Sequence, residues 1–126
     1  MEKRIDKIEK ELGEIKKSLV KEIEWTKIGD LEWSEALGEM PWDEAMAKAK
    51  ELGARIPERW EMIKAVDENH DEIQKLIKGS LFSYFWSASE NSTYTSVAWY
   101  VYLHNGHTND TSKSTSCDVR CVREVK

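Results

Sequence analysis

The feature that most constrains this chain is a change of residue types near Ser87. Between Ser87 and Asp118, 22 of 32 residues are Ser, Thr, Asn, Asp, His or Tyr, whereas the preceding sequence is dense in Lys and Glu. Polar low-complexity segments are usually disordered, because they bury too little apolar surface to offset chain entropy. Here, however, frame residues recur through and beside the segment: Trp86, Val97, Ala98, Trp99, Val101, Leu103, Gly106, Val119, Cys121 and Val122. A fixed apolar frame that carries Tyr and small polar side chains is typical of a recognition surface.

Charge and hydropathy narrow the range of partners. The net charge of −5 provides no basic face, which argues against nucleic acid as a partner. The charged N-terminus lacks the apolar region of a secretory signal, and no stretch reaches the roughly 20 apolar residues of a membrane helix. The sequence therefore predicts synthesis in the cytosol without direct membrane insertion, with later display on a virion or cell surface as an expectation.

The two cysteines, Cys117 and Cys121, are four residues apart. On one strand their Cα atoms would lie about 13 Å apart, whereas a disulfide requires a separation within about 7 Å. The sequence therefore predicts no intrachain bridge. We expect Cys121 to be buried and Cys117 to be incidental.

Residues 3–23 are predicted to form an amphipathic helix. Its apolar residues follow one another at intervals of 3, 4, 3 and 4: Ile5, Ile8, Leu12, Ile15 and Leu19. This is the heptad pattern of a coiled coil, and Leu at a positions with Ile at d favours trimers or tetramers over dimers. The pattern predicts a homo-oligomer assembled through 3–23. Because fewer than three heptads is short, the alternative is a monomer whose helix packs on its own domain.

The rest of the chain, residues 25–126, is predicted to be one domain that begins with helices. Apolar periodicity and flanking Pro and Gly residues indicate helices over 42–52, 57–67 and 71–78. The second helix is expected to bury Trp60, Ile63 and Val66.

After Gly79 the apolar period changes to two residues, which indicates strands. The predicted strands cover residues 82–87, 98–104 and 119–125. The 98–104 strand is expected to carry Trp99, Val101 and Leu103 on its core face and Tyr100, Tyr102 and His104 on its outer face. Asn105-Gly106 predicts a hairpin turn. Helices followed by an antiparallel sheet define an α+β fold.

The outer face of the 98–104 strand is the candidate binding surface. Tyr offers a large contact area with few rotatable bonds, and the polar loops 88–96 and 105–118 flank the strand. Because the aromatic residues share one face, we interpret this surface as a ligand site. The alternative is a solvated, poorly ordered sheet face without a ligand.

Several short motifs resemble a branch of the C-type lectin fold. They are Trp42-Asp43-Glu44-Ala45, Gly53-Ala54-Arg55-Ile56-Pro57, Trp86-Ser87-Ala88-Ser89, the run from Ala98 to Gly106, and Val119-Arg120-Cys121-Val122-Arg123. The branch includes formylglycine-generating enzymes, bacterial adhesin C-terminal domains and the variable proteins of diversity-generating retroelements. The variable proteins match best, because they end in a mutable segment on a fixed lectin-type frame. The resemblance covers the chain from about Trp25 to its end.

The resemblance implies a C-type lectin-like domain whose segment 87–118 is diversified by mutation of template adenines. Mutated Asn codons yield Ser, Thr, Asp, His and Tyr, which are the residues that crowd this segment. The implied variable ligand contacts are Ser89, Asn91, Thr93, Tyr94, Tyr100, Tyr102, His104, Asn105, His107, Asn109, Asp110, Ser112, Ser114, Ser116 and Asp118. The implied scaffold is Trp86, Trp99, Val101, Leu103, Gly106, Val119, Arg120 and Val122. Cys117 would be a chance product of the same mutagenesis, and the ligand would be a protein or a carbohydrate.

Three other functions have some support in the sequence. Formylglycine-generating relatives use a pair of cysteines for copper-dependent oxidation, but the spacing of Cys117 and Cys121 does not match a reactive pair, and we expect no enzyme activity. His104, His107 and Asp110 are a weak metal pattern, so neither a metal nor a cofactor is expected. The alternative from another class is a structural fibre tip or assembly protein whose lectin-like head has no diversified ligand site.

Stability is expected to come from the apolar frame rather than from the polar segment. The residues assigned to this role are Trp25, Trp42, Leu52, Trp60, Trp86, Trp99 and Leu103. On this basis, Trp99→Ala is expected to cost about 3–5 kcal/mol.

Overall fold

The computed structural model describes residues 22–78 and 83–125, so the predicted helix over 3–23 lies outside the described residues except at its last two positions. The strands are β1 Trp25–Ile28, β2 Leu31–Ser34, β3 Glu39–Met40, β4 Tyr84–Glu90, β5 Val97–Tyr102, β6 Thr108–Ser112, β7 Cys117–Asp118 and β8 Val122–Glu124. The helices are α1 Trp42–Glu51, α2 Arg59–Glu68 and α3 His70–Leu76. None of these helices is long and apolar enough to cross a membrane.

The strands of the described residues form two sheets. One has three strands in the order β1-β2-β8, and the other has five in the order β3-β7-β4-β5-β6. β8 pairs antiparallel with β2, with Trp33 opposite Val122, and so joins the last element of the domain to one of its first. In the larger sheet, β4 pairs parallel with β7 and antiparallel with β5.

Both faces of the five-stranded sheet are covered, because successive residues of a strand point to opposite faces. The first core contains Ile28, Trp33, Met62, Ala65, Val66, Ile73, Ile77, Phe85, Val101, Leu103 and Val122. The second core contains Trp42, Ala45, Ala49, Ile56, Trp86, Ala98, Cys117, Val119 and Cys121. Helices α2 and α3 therefore cover the face of Phe85 and Val101, and α1 covers the face of Trp86 and Ala98.

The α+β class is as the sequence predicts, but the order of elements differs. Three strands precede α1, so the expected succession of helices followed by a sheet is wrong in its order. β1 and β2 have four residues each and β3 has two, so none of them is long enough to establish a period-two pattern. The pairing of β2 with β8 and of β3 with β7 joins distant parts of the chain, so it cannot be read from local sequence.

The first helix forms where the sequence predicts it. α1 covers residues 42–51, within one residue of the predicted 42–52, and buries Trp42, Ala45 and Ala49. Gly53 follows with a φ of +70°, the left-handed conformation that glycine adopts readily after a helix. The prediction for α1 is confirmed.

The second helix buries a different face from the predicted one. α2 begins at Arg59, after a capping box in which the backbone N–H of Glu58 donates to Glu61 Oε1 at 2.9 Å. Its buried side chains include Met62, whereas Trp60 is 63% exposed. The expectation that Trp60 is buried is wrong, as it is for Ile63, which is also exposed. Met62, Ala65 and Val66 face the sheet, because residues three and four positions apart lie on the same side of a helix. Trp60 points to nearly the opposite side of the helix.

Truncation of Trp60 is therefore expected to have little effect on stability. Trp60→Ala should change the free energy of unfolding by about 0.5 kcal/mol or less, as surface substitutions do. Met62→Ala, on the buried side of the same helix, should cost about 2–5 kcal/mol. Urea denaturation of the two variants measures both values. A loss of more than about 2 kcal/mol in the Trp60 variant would contradict the orientation of α2.

The central hairpin follows the predicted alternation. Val101 and Leu103 are buried in the first core, and the turn after β5 contains Gly106 with a φ of +79°. The backbone N–H of Tyr102 donates to His107 O at 2.8 Å and closes a loop of 103–107. The closing strand, β8, is shorter than the predicted 119–125.

Candidate functional site

One face of the larger sheet carries a group of three tyrosines. Tyr84 pairs with Tyr102 and Trp86 with Tyr100 across β4 and β5, which places these side chains on the face of the second core. The ring centroids of Tyr84 and Tyr100 are 4.9 Å apart, and those of Tyr100 and Tyr102 are 5.6 Å apart. All three rings are half-buried. They form a continuous aromatic surface beside the second core, against which Tyr84 and Tyr100 pack.

The opposite face of the same hairpin has a different character. Trp99 is half-buried beneath Arg59, whose guanidinium carbon lies 4.0 Å from the ring centroid. Asp110 pairs with Trp99 across β5 and β6, and Asn91 Nδ2 donates to Asp110 Oδ2 at 2.7 Å. This face therefore joins α2 to the loop after β4.

β6 distributes its side chains over both of these faces. Asn109 lies opposite Tyr100, and Asp110 lies opposite Trp99. Because successive side chains of a strand alternate, the predicted contacts Asn109 and Asp110 cannot belong to a single flat surface. The predicted site is thus a ridge with two sides rather than one face.

Backbone pairing holds β6 in place. The strand has the sequence Thr-Asn-Asp-Thr-Ser, without one apolar residue, and is the last strand of its sheet. All five of its residues pair with β5, from Val97 opposite Ser112 to Val101 opposite Thr108. A segment held by its backbone tolerates many side chains, because the ladder bonds do not depend on them.

Two loops complete the polar ridge. In the loop after β4, Asn91 Oδ1 accepts the backbone N–H groups of Thr93 and Tyr94 at 2.8 and 2.9 Å, and Tyr94 is 64% exposed. In the hairpin turn, Asn105 Oδ1 accepts the backbone N–H of His107 at 2.9 Å. These Asn side chains shape their own loops, which is a common role of Asn in turns.

The predicted variable contacts divide by exposure. The exposed residues are Thr93, Tyr94, His104, Asn105, His107, Asn109, Ser112, Ser114 and Ser116. The half-buried residues are Ser89, Asn91, Tyr100, Tyr102, Asp110 and Asp118. Ser89 is committed internally, since its Oγ donates to Glu58 Oε2 at 2.7 Å and accepts the N–H of Arg59 at 2.9 Å. Asp118 on β7 lies opposite Phe85 on β4, and burial raises the pKa of the Asp118 carboxyl.

The predicted scaffold residues lie mostly inside the domain. Trp86, Val101, Leu103, Val119, Arg120 and Val122 are buried, whereas Trp99 and Gly106 are half-buried. At Gly106, an added Cβ would lie 3.6 Å from Val66 Cγ1. The hairpin turn therefore approaches α2 closely at this point.

Two residues of the site were missed by sequence reasoning. Tyr84 belongs to the tyrosine group, and its position two residues before Trp86 on a predicted strand was the signal that could have identified it. Lys113 lies within the polar segment, yet its Nζ is 4.2 Å from the ring centroid of Trp42 and 3.3 Å from Glu90 Oε1. No local pattern indicates that contact.

Both thiols are free and buried. Cys117 pairs with Met40 across β3 and β7 and packs in the second core, so it is a core residue rather than the incidental one that the sequence suggested. Burial raises the pKa of Cys117 to about 12 and raises that of Cys121. A reactive thiol requires the opposite shift.

The two thiols should therefore resist modification in the folded protein. A thiol reagent such as Ellman's reagent is expected to react at least about 100-fold more slowly with the native chain than with a free cysteine, because reaction requires local opening. After unfolding in guanidinium chloride, both cysteines should react rapidly. Fast release of one equivalent from the native chain would show that one of these thiols is accessible.

The described residues contain no group of three or more His, Cys, Asp or Glu side chains that could hold a metal ion. His104 and His107 occupy the hairpin turn, and Asp110 is bonded to Asn91 on the Trp99 side. The structure does not bring these three into a ligand set.

The arrangement of helices around two sheets matches a known fold. Over 80% of this chain and 96% of the other, the structure resembles the crystal structure of botrocetin, with a TM-score of 0.61 and 14% sequence identity. At this level of identity the likeness establishes the fold alone. The protein is a C-type lectin-fold domain.

The family follows from the sequence itself. The model of the Lcl C-terminal domain family matches residues 17–123, and the chain belongs to that family. No protein of curated function matches the chain. Family and fold together support the resemblance to the C-type lectin-fold variable proteins of diversity-generating retroelements.

Proposed function

We propose that this lectin-like domain is a non-catalytic receptor-binding protein whose polar ridge is diversified by retroelement mutagenesis. The observation that carries the proposal is that the backbone and the side chains of β6 have separate roles. Its side chains point outwards from both faces of the hairpin, while a backbone ladder along all five residues, with one added bond from Thr108 Oγ1 to Tyr100 O at 2.7 Å, pairs it to β5. Changes of side chain there alter the chemistry presented to a ligand without removing a core contact.

The contact chemistry of the ridge supports binding rather than catalysis. It combines a tyrosine surface with exposed hydroxyl, amide and imidazole groups, a composition that suits recognition. Burial raises the pKa of both thiols, which disfavours the thiolate that a reactive cysteine requires. The expected ligand is a protein or a carbohydrate.

Other parts of the proposal rest on sequence alone. The heptad spacing within 3–23 supports a homo-oligomer, which would multiply weak contacts to a surface ligand. The net charge of −5 and the absence of a long apolar run favour a partner other than nucleic acid or lipid. Display on a virion or cell surface would give the ridge access to a receptor.

Sequencing of the whole gene across its source population tests diversification. Substitutions should concentrate at exposed ridge positions such as Tyr94, His104 and Asn109, whereas Trp86 and Val101 should stay fixed. Variation spread evenly along 22–125 would reject the retroelement and leave an ordinary lectin-like module or a fibre tip.

The tyrosine surface should supply the main ligand anchors. The double variant Tyr100→Ser/Tyr102→Ser is expected to weaken binding by about 30-fold or more, the effect of removing hot-spot residues. The measurement uses the oligomeric full chain on glycan and surface-protein arrays, and follows with titration of each hit. Val125→Ser is the matched control, since it changes an exposed apolar residue after β8, away from the ridge, and should retain every hit.

The outcome must be separated from unfolding. Because Tyr100 packs against the second core, the double variant should also lose about 1–2 kcal/mol of stability. Circular dichroism should still show a folded domain at the assay temperature. A folded double variant that keeps its hits at full affinity would remove the tyrosines from the binding site.

A further inference from the structure

Lys113 is much less exposed than the polar residues on either side of it. It lies in the turn between β6 and β7, with Ser112 and Ser114 as neighbours. Those two serines are exposed, and their hydroxyls contact each other at 2.8 Å. The Lys113 side chain, in contrast, is only 18% exposed.

The Lys113 side chain has two specific partners. Its Nζ lies 4.2 Å from the ring centroid of Trp42 and 3.3 Å from Glu90 Oε1. A cation over the face of Trp is attracted by the ring, and the attraction grows when the pair is shielded from water. Trp42 is itself fixed, because it is buried and its indole N–H donates to Ser87 O at 2.9 Å.

The backbone of Lys113 adds two more connections. Its N–H donates to Ser96 O at 2.9 Å, and its carbonyl accepts the backbone N–H of Trp42 at 2.9 Å. Trp42 is the first residue of α1, so this bond satisfies an N–H group that has no partner within the helix. One residue therefore links α1, the end of β4 and the loop before β5.

We propose that Lys113 is a positioning residue of the ligand ridge, which fixes the 91–96 loop and the β6–β7 turn on α1. The proposal deepens the proposed function and rests on it, because these two loops form one end of the ridge. Positions 112 and 114 are then free to vary, whereas position 113 between them is not. The Lys113 cluster is defined as Lys113, Trp42, Glu90 and Ser96.

The chemistry of the cluster limits what can replace lysine. Arg keeps a cation that can stack on Trp42 and pair with Glu90. Met keeps the length of the apolar stem but loses both the cation–π contact and the ion pair. Ser, which occupies both adjacent positions, reaches neither partner.

A selection without any ligand tests the assignment. The full chain is displayed with codons 112, 113 and 114 randomised, and survivors of protease challenge are sequenced. Because protease survival follows the population of opened molecules, Lys and Arg together should be enriched at 113 by about tenfold, whereas 112 and 114 should stay close to the input. If 113 accepts residues as freely as 112 and 114 do, the assignment is overturned.

Amide hydrogen exchange then separates positioning from general stability. In Lys113→Met, the amides of residue 113 and of the 91–96 loop should exchange about tenfold faster than in the parent, while the amide of His107 in the hairpin turn keeps its rate. Lys113→Arg should restore slow exchange. Lys64→Met is the matched control, since Lys64 is exposed and pairs with Glu68 at 3.9 Å, and it should leave the loop unchanged.

The two tests do not depend on diversification or on binding. Uniform acceleration of exchange over the whole domain in Lys113→Met, or unchanged exchange in the loop, would overturn the positioning role while leaving the proposed function intact. A fixed ridge in the source population would instead reject the diversified function and leave the Lys113 cluster standing.

Discussion

Replacement of Trp86 by alanine is expected to lower the free energy of unfolding by about 3–5 kcal/mol, the usual cost of removing a large buried aromatic ring. Trp86 is 0% exposed and occupies the centre of the second core. Its indole N–H also donates to Met40 O at 2.8 Å, so the change leaves a carbonyl of β3 without its partner. A loss of this size is a large fraction of the stability of an ordinary domain and would leave the variant marginally folded.

Two further variants separate the contributions to this effect. Trp86→Phe keeps a ring in the core but loses the bond to Met40, and should cost about 1–3 kcal/mol. Trp99→Ala should cost about 1–3 kcal/mol, less than the sequence suggested, because Trp99 is half-buried beneath Arg59 rather than in either core. Urea denaturation gives all three values. If Trp99→Ala is more damaging than Trp86→Ala, the assignment of faces in β4 and β5 is wrong.

The contrast between Trp86 and Trp99 illustrates what sequence patterns can and cannot predict. Alternation correctly separates Val101 from Tyr100 and Tyr102, because a strand has only two faces. It cannot say that both faces are covered by helices, so from sequence alone the face opposite Val101 is predicted to be open. Tyr100 in fact packs against the second core. Burial on both faces is a property of the whole topology.

Helix α2 shows the same limit. Its apolar residues can be grouped into two stripes, one with Trp60 and Ile63 and one with Met62, Ala65 and Val66. Hydrophobicity favours the first stripe, but the small residue Ala65 allows the helix to approach the sheet closely. The choice depends on the shape of the partner surface, which local sequence does not contain.

The candidate site was predictable in its composition but not in its geometry. The polar composition of residues 87–118 and the turn at Gly106 are visible in the sequence, and the exposed residues of the ridge follow from them. The register of β6 is not, since none of its five residues is apolar and so none fixes a face. For the same reason Asn109 and Asp110 were assigned to one surface, although they lie on opposite sides.

The position of the buried charge indicates how the frame stays fixed beneath a variable surface. Arg120 is 6% exposed, and its Nη1 and Nη2 donate to Ser34 O at 2.9 Å and to Leu76 O at 3.0 Å. Leu76 is the last residue of α3, so its carbonyl lacks a partner within the helix. Arg120 thus ties the three-stranded sheet to a helix of the first core. Burial lowers the pKa of the guanidinium, yet arginine keeps its charge at any physiological pH.

Arg120→Met is accordingly expected to cost about 3 kcal/mol or more, because the buried Ser34 carbonyl and the half-buried Leu76 carbonyl both lose the guanidinium donor. Arg120→Lys should recover only part of this loss, since an ammonium group cannot present the two separated donors of a guanidinium in the same geometry. Thermal and urea denaturation at pH 7 measure both changes.

Arg123→Met is the matched control three residues later. Arg123 lies 3.9 Å from the ring centroid of Trp25 and 3.1 Å from Glu32 Oε1, but its side chain is substantially exposed. Exposed ion pairs contribute about 1 kcal/mol at most, so this variant should unfold close to the parent. If Arg120→Met is as mild as Arg123→Met, the buried guanidinium does not fix the three-stranded sheet to α3. If Arg120→Met is far more damaging, the buried guanidinium fixes the frame beneath the ridge.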